Sequence, residues 1–300
     1  MGRTLAETTL EDAEKLWLGG DIQQAREAFR RARLLFHDGG DPVGEAAALT
    51  TLGDLEGETG HTSLAREAYV DARALYARDG DQRDQAGMVM RLGRLAEREG
   101  KLDDARQCYA SARELYDSAS DFSGLAQVAK RLGNMERDHG RQDHALDRYT
   151  EALALYHRAN DTLGQACVLK AMATLRRRMG QNDAAHQEYE RALELYREAG
   201  DALGEAAVQY GMGHLLAAMG NKSEARQALD GARHLYAATG HLKGEADVLL
   251  DFGRLLAETE PDHARSAFRH AAHLFGRLGL IEPHAEAERA LVRLESGPSA

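Results

Sequence analysis

The chain repeats itself every 40 residues. Gly20, Gly60, Gly100, Gly140, Gly180 and Gly220 form one column, and Ala25, Ala65, Ala105, Ala145, Ala185 and Ala225 a second. Phe36, Tyr76, Tyr116, Tyr156, Tyr196 and Tyr236 form a third. A period of this length belongs to stacked arrays of one supersecondary unit, each copy burying its apolar face against the next. It argues against a globule with one enclosed pocket, so the functional question becomes one about surfaces. A length of 300 residues would otherwise suggest about two domains. The repeat predicts instead a single array over residues 1–300, with units near 5–40, 41–80, 81–120, 121–160, 161–200, 201–240 and 241–280. A capping helix is expected near 282–295.

Within residues 161–200, the stretch Gly164 to Met179 suits one helix and about Asp183 to Glu198 a second. Gly180 between them fits a left-handed stop, and Asn182 or Asp183 are expected to cap the second helix. The second helix carries Ala185, Tyr189, Ala192, Leu193, Leu195 and Tyr196 at near-helical spacing. The first carries Val168, Met172, Leu175 and Met179, which fall within about 60° of one another at 100° per residue. Small residues recur at Gly53, Gly93, Gly133, Ala173, Gly213 and Gly253. A mid-helix glycine costs roughly 1 kcal/mol relative to alanine, so its repetition points to a close helix–helix approach.

The set Leu132-Gly133, Gly140, Ala145, Tyr149 and Ala152 resembles the tetratricopeptide repeat, with equivalents from residue ~5 to ~280. The 40-residue form is similar to the longer variant of spindle-orientation adaptors, kinesin light chains and bacterial regulators. The family's terminal proline is absent, and Gly-Asp takes its place. The resemblance implies an all-α, right-handed superhelical solenoid of about seven hairpins plus the capping helix. It also implies that the exposed face of each first helix lines a concave groove.

The two ends depart from the pattern, as terminal units should. The first hairpin is expected to begin near Thr8, with Thr8 and Glu11 as a capping box, and it contains the sole tryptophan, Trp17. In the last, Glu260-Pro261 replaces the usual Gly-x. Pro283 suits the first turn of a closing helix from His284 to Leu294, and a frayed tail is expected from Ser296 to Ala300. No apolar run approaches the ~18 residues of a membrane span, and no signal peptide is seen. Met1-Gly2 lacks the Ser or Thr that myristoylation wants. Cys108 and Cys167 occupy different columns, which fits a reduced, cytoplasmic setting. The net charge of −11 argues against nonspecific binding to nucleic acid or anionic lipid.

The face opposite the core stripe is where the repeats differ. It lies between about 140° and 240° on the first-helix wheel. In the third repeat it offers Met90, Arg94 and Arg98, with Arg91 alongside; in the fourth, Lys130, Asn134 and Arg137, with Arg131 alongside. The fifth offers Lys170, Thr174, Arg177 and Arg178, and the sixth Tyr210 and His214. Across 84–99, 124–139 and 164–179 there are ten basic and five acidic residues, a net of +5 within a protein of net −11. Equivalent residues of stacked repeats lie close, so Lys130/Lys170 and Arg137/Arg177 would repel modestly. An anionic partner would relieve that and gain charge-assisted hydrogen bonds. Met90 and Tyr210 could serve as apolar anchors. The plainer account is a solvated face whose charges pair with acids on other helices.

Lys130 and Asn134 match the opening pair of the carboxylate clamp found in chaperone-binding relatives. The later clamp positions hold Ala171, Ala207 and Gly211, so chaperone binding is not implied. His263, His270 and His273 lack the companions of a metal site. No phosphate loop, nucleophile–base pair or catalytic signature is present, and no metal or cofactor is expected. The reading is a non-enzymatic scaffold for an acidic or carboxylate-bearing protein or peptide segment. A sensor module acting on a separate effector is the alternative, and a nucleic-acid ligand a minor one.

Overall fold

Two backbone devices, repeated along the chain, make the hairpins. Inside a hairpin, Gly60 sits at φ 85°, a left-handed conformation that glycine adopts without steric cost. The His61 N–H then reaches back to the Glu56 carbonyl at 2.8 Å, satisfying an orphan acceptor of the preceding helix. Lys101 to Ala96 and Arg141 to Glu136 make the same bond at 2.9 Å. Between hairpins, the Asp41 N–H bonds to the Phe36 carbonyl, while its carboxylate accepts from the Gly44 N–H, both at 2.9 Å. Asp81, Asp121, Asp161 and Asp201 repeat this capping bond. The second helices do without it. Asn182 and Asp183, expected as caps, lie inside the helix, and Gln181 precedes it with no side-chain cap bond.

The computed structural model describes residues 4–296, which form fifteen helices and no strand among the described residues. They group into two compact units, one up to Met135 and one from Glu136. The N-terminal unit contains α1 (Leu5–Leu18), α2 (Ile22–Asp38), α3 (Pro42–Glu58), α4 (Thr62–Asp79), α5 (Gln82–Arg98), α6 (Leu102–Ser118) and most of α7 (Phe122–Asp138). The C-terminal unit contains the end of α7, then α8 (Gln142–Arg158), α9 (Thr162–Arg178), α10 (Asn182–Ala199) and α11 (Ala202–Ala218). It continues with α12 (Lys222–Ala238), α13 (Leu242–Leu256), α14 (Pro261–Arg277) and α15 (Ile281–Ser296). Each unit is a run of antiparallel hairpins, and no described helix is long and apolar enough to cross a membrane.

The ends differ from the sequence expectation in detail. The capping box is Thr4 with Glu7, not Thr8 with Glu11: Glu7 N–H donates to Thr4 Oγ1 at 3.2 Å and Thr4 N–H to Glu7 Oε2 at 2.7 Å. The first helix therefore starts one turn earlier, and Thr8 instead donates its hydroxyl to the Thr4 carbonyl. Pro261, expected in the turn, is the first residue of α14, and Pro283 falls in the first turn of α15 as expected. The closing helix starts at Ile281 and includes Ser296, and the remaining expected tail lies outside the described residues.

The recurring small residues make room for a side chain of the second helix, an aromatic ring at Gly53, Gly93 and Gly253 and Leu229 at Gly213. A Cβ on Gly53 would lie 2.5 Å from Tyr69 Cε1, and one on Gly93 2.6 Å from Tyr109 Cε1. The glycine is a notch in the first helix that receives the ring of its partner helix. At the fifth repeat the notch moves. Ala173 fills the usual place, and a Cβ on Gly211 would meet Tyr189 Oη at 2.7 Å, so Tyr189 packs against the next hairpin as well as its own.

An ion pair is buried in the N-terminal unit. Arg26 Nε donates to Glu56 Oε1 at 2.6 Å, and Arg26 Nη2 to Oε2 at 3.0 Å. Glu56 is only 1% exposed and also lies 2.9 Å from His61 Nδ1. A buried pair is worth little net, but losing one partner costs about 3–5 kcal/mol because the other charge is stranded.

Candidate functional site

The notch has a consequence for the polar face. Each inserted tyrosine ring brings its hydroxyl towards the exposed side of the first helix. Tyr69 Oη donates to Asp54 Oδ1 at 2.7 Å. Thr174 already donates its hydroxyl to the Lys170 carbonyl, so Tyr189 donates to Thr174 across their 3.1 Å separation. Tyr109 Oη is buried with no hydrogen-bond partner among the described residues. Burial, then the Glu97 charge, push its phenol well above the ordinary value. The same column reads Phe29, Leu229 and Phe268 elsewhere, so phenols line only the second to fifth repeats.

In the N-terminal unit the centre of the face is Asp54. It accepts from Tyr69 and takes a two-pronged contact from Arg91, with Nε at 2.9 Å and Nη2 at 3.1 Å. Burial pushes the Tyr69 phenol up, and Asp54 pushes it further. For Arg91, burial opposes the charge, yet Asp54 more than compensates and the guanidinium is held more firmly protonated. Arg98 donates Nη1 to the Gly57 carbonyl at 2.7 Å. Arg94 is exposed. Neither it nor Arg131 has a salt bridge among the described residues. A cavity of about 280 Å³ opens here, lined by Trp17, Asp54, Gly57, Glu58, Tyr69, Arg91, Arg94, Leu95 and Arg98. Lys130, Arg131 and Asn134 are half-buried on α7. Met90 is only 7% exposed and is not the exposed anchor expected, because α5 is covered by α4 and α6 on two sides.

In the C-terminal unit Arg137 donates Nε to its neighbour Asp138 at 2.8 Å and lies 3.4 Å from Tyr149 Oη. Arg176 donates to Glu188 at 2.8 Å and to Gln181 at 2.7 Å. Lys170, half-buried, places its ammonium 5.8 Å from the centre of the Tyr196 ring, within cation–π range. Arg177 has its Nε buried with no hydrogen-bond partner among the described residues, and Arg178 is exposed. Lys170, Arg177 and Arg178 have no salt bridge among the described residues. Further along, Tyr210 donates to Asp251 Oδ2 at 2.5 Å, His214 Nε2 lies 3.3 Å from the same oxygen, and Arg254 donates to Oδ1 at 2.8 Å. Arg254 also reaches Glu286. Burial would raise the Asp251 carboxyl, but the His214 and Tyr210 hydrogen bonds outweigh it and hold it below the usual carboxylate range. Tyr210 is thus tied by its hydroxyl to an acid on the next hairpin.

Sequence reasoning selected the basic residues of this face and missed the groups that organise it: Tyr69, Tyr109, Tyr149 and Tyr189 beneath, and Asp251 beyond. The readable signal was the change from phenylalanine or leucine to tyrosine within one column. Among the described residues no cluster of three metal-ligating side chains occurs.

Residues 84–158 and 164–236 match the family model of the tetratricopeptide repeat. No curated protein sequence matches the chain. Among solved structures, aspartyl phosphate phosphatase F from Bacillus subtilis is similar with a TM-score of 0.70 at 12% identity, over 98% of this chain and 72% of that one. The apo form of the quorum sensor NprR from B. thuringiensis gives 0.62 at 15% identity, over 97% and 87%. BtubC (BKLC) from P. vanneervenii gives 0.60 at 22% identity, over 79% and 93%. At these identities the likeness is one of fold.

Proposed function

We propose, proceeding from the chain being a tetratricopeptide-repeat protein, that it is a non-enzymatic, cytoplasmic scaffold whose first-helix face binds an acidic or carboxylate-bearing segment of a protein. The observation that carries this is the division of the basic residues into two classes. Arg91, Arg137 and Arg176 are committed to Asp54, Asp138 and Glu188. Arg94, Arg131, Lys170, Arg177 and Arg178 have no salt bridge among the described residues. An anionic segment would gain charge-assisted hydrogen bonds, and its association would weaken with salt.

The test is affinity capture from native lysate by the wild type and by a Lys130→Glu/Lys170→Glu variant, with and without nuclease. A protein partner retained by the wild type and lost from the variant is expected. Unchanged capture would remove the reading, and loss of the captured material on nuclease treatment would turn it towards nucleic acid.

A second reading is a sensor that regulates a separate effector. It is favoured by likeness over nearly the whole chain to the structures of a quorum sensor and an aspartyl phosphate phosphatase. Solution scattering with and without the captured partner would separate the two, since a sensor changes its dimensions on binding and a passive scaffold does not.

A further inference from the structure

A groove runs between α2 and α4, two successive second helices of the N-terminal unit. It opens as two adjoining cavities of about 310 and 540 Å³ that share Arg33, Leu34, Leu49 and Asp71. Leu49 and Leu52 of α3 are buried and form its floor. Leu34 and Leu64 stand on its walls, 51% and 41% exposed. Both break the repeat. The Leu34 column elsewhere reads Ala74, Glu114, Ala154, Glu194 and His234, and the Leu64 column Gln24, Asp104, His144, Ala184 and Glu224. Two large apolar side chains held in water on one groove, where equivalent positions are polar or alanine, mark an interaction surface. The walls carry opposite charge. α2 contributes Arg30 and Arg33, and α4 contributes Glu67 and Asp71. Arg33, Glu67 and Asp71 have no salt bridge among the described residues, and Arg30 lies 3.9 Å from the buried Glu56.

Such a groove fits a helix with an apolar stripe, one acidic edge and one basic edge. The chain itself carries one. α15 packs inward on α14 through Ala287, while Ile281 and Val292 on its outer side are 80% and 58% exposed. With Val292 at 0° and about 100° per residue, Ile281 falls near −20° and Ala285 near +20°. Glu288 falls near −40°, and Arg289 and Arg293 fall near +60° and +100°. All three are exposed and have no salt bridge among the described residues. Laid stripe-down and parallel to α2 and α4, α15 turns Glu288 towards Arg30 and Arg33 and its two arginines towards α4. Arg289 and Arg293 have the same four-residue spacing as Glu67 and Asp71. In that register Val292 falls between the levels of Leu64 and Leu34, and Glu282 and Arg78, which have the wrong sign for these walls, lie outside the overlap. We propose that α15 of one copy docks in the α2–α4 groove of a second copy. Helix and groove are different surfaces of one chain, so the contact is head-to-tail and leaves one free helix and one free groove on each pair. Neither surface shares a residue with the peptide-binding face proposed above.

Sedimentation equilibrium of the whole chain is the test. The weight-average mass is expected to rise above the 32.9 kDa of one copy as the concentration goes from about 10 μM to about 1 mM, the range of a weak contact. Leu64→Glu spoils the groove and Val292→Glu spoils the helix. Both sites are exposed, and each variant alone is expected to stay at the mass of one copy. Mixed in equal amounts, the two variants retain one intact helix and one intact groove between them, so the mixture should form a one-to-one pair and stop there. Arg293→Glu should weaken association about tenfold, and Asp71→Arg in the same chain should restore it to within about threefold. Circular dichroism checks that the variants fold, and Leu34→Glu, also at an exposed site, is the second groove variant. A single mass at every concentration, association unchanged by either apolar-to-glutamate variant, a mixture that does not pair, or no rescue by Asp71→Arg would overturn the assignment. Pairing lost from the mixture alone would point to a symmetric contact between copies.

Discussion

Asp54 and Asp251 are both carboxylates on a first-helix face, and both accept from a tyrosine and an arginine, yet they leave their surroundings in opposite conditions. Asp54 draws one arginine from the following hairpin and a phenol from its own. Arg94 and Arg98, one and two turns further along α5, stay outside that cluster. Asp251 gathers Tyr210 and His214 from the preceding hairpin and Arg254 from its own helix. Arg254 is claimed a second time by Glu286. The first arrangement pins one cation and leaves two outside the carboxylate's hydrogen bonds. The second consumes its cations internally. A count of charges along the chain does not separate the two cases; the partner of each charge does.

The sharpest way to stress this difference is to disturb the floor beneath each cluster. Gly53→Ala should destabilise by about 2–3 kcal/mol, because the Tyr69 ring it strikes is held at its far end by Asp54. Gly213→Ala should cost about 1–2 kcal/mol, since Leu229, which it meets, has no polar tether and can change rotamer. Urea melts of the two variants give the order. Equal losses would show that the tether does not matter.

Removing the carboxylates comes next. Asp251→Ala is expected to cost about 2 kcal/mol and Asp54→Ala about 1–2 kcal/mol, because the former strands more donors. The acid limb of the stability curve tests the same point by pH. A carboxyl depressed in the folded state stabilises above its unfolded value of about 3.9, and that contribution is lost as pH falls through the lower folded value. Asp251, so depressed, should steepen the wild-type loss of stability below about pH 4, and Asp251→Asn should flatten it.

For binding, Arg94→Gln should weaken an acidic peptide about tenfold, whereas Arg254→Gln should change it by less than about twofold, measured by calorimetry; equal losses would erase the distinction between free and committed cations. The smallest effect concerns single hydroxyls. Tyr189→Phe should lose about 0.5–1.5 kcal/mol with its bond to Thr174. Tyr109→Phe should be neutral or slightly stabilising, because its buried hydroxyl has no partner among the described residues.

The hairpins were legible because their determinants are local: a left-handed glycine, an aspartate that caps three residues on, and an apolar stripe at helical spacing. Arg94, Arg98 and Arg178 are exposed where the wheel puts them for the same local reason. Met90 was misjudged because a wheel treats a helix as packed on one side, and α5 is packed on two. The pairing of Arg91 with Asp54 joins residues 37 positions apart, and a wheel cannot tell a neighbouring charge from a committed one. The phenols were read as core, which is true of their rings; their hydroxyls reach the polar side only because of the notch.

The displaced notch at Ala173 and Gly211 bears on how this chain could be rebuilt. Hairpins built on Gly53 or Gly93 keep the notch and its ring within one cassette, so that joint travels with any cassette that is cut out and grafted elsewhere. Tyr189 depends on a glycine that belongs to the next cassette. Splicing after residue 200 would remove that glycine from the ring's surroundings, so the fifth and sixth hairpins should be transplanted as a matched pair.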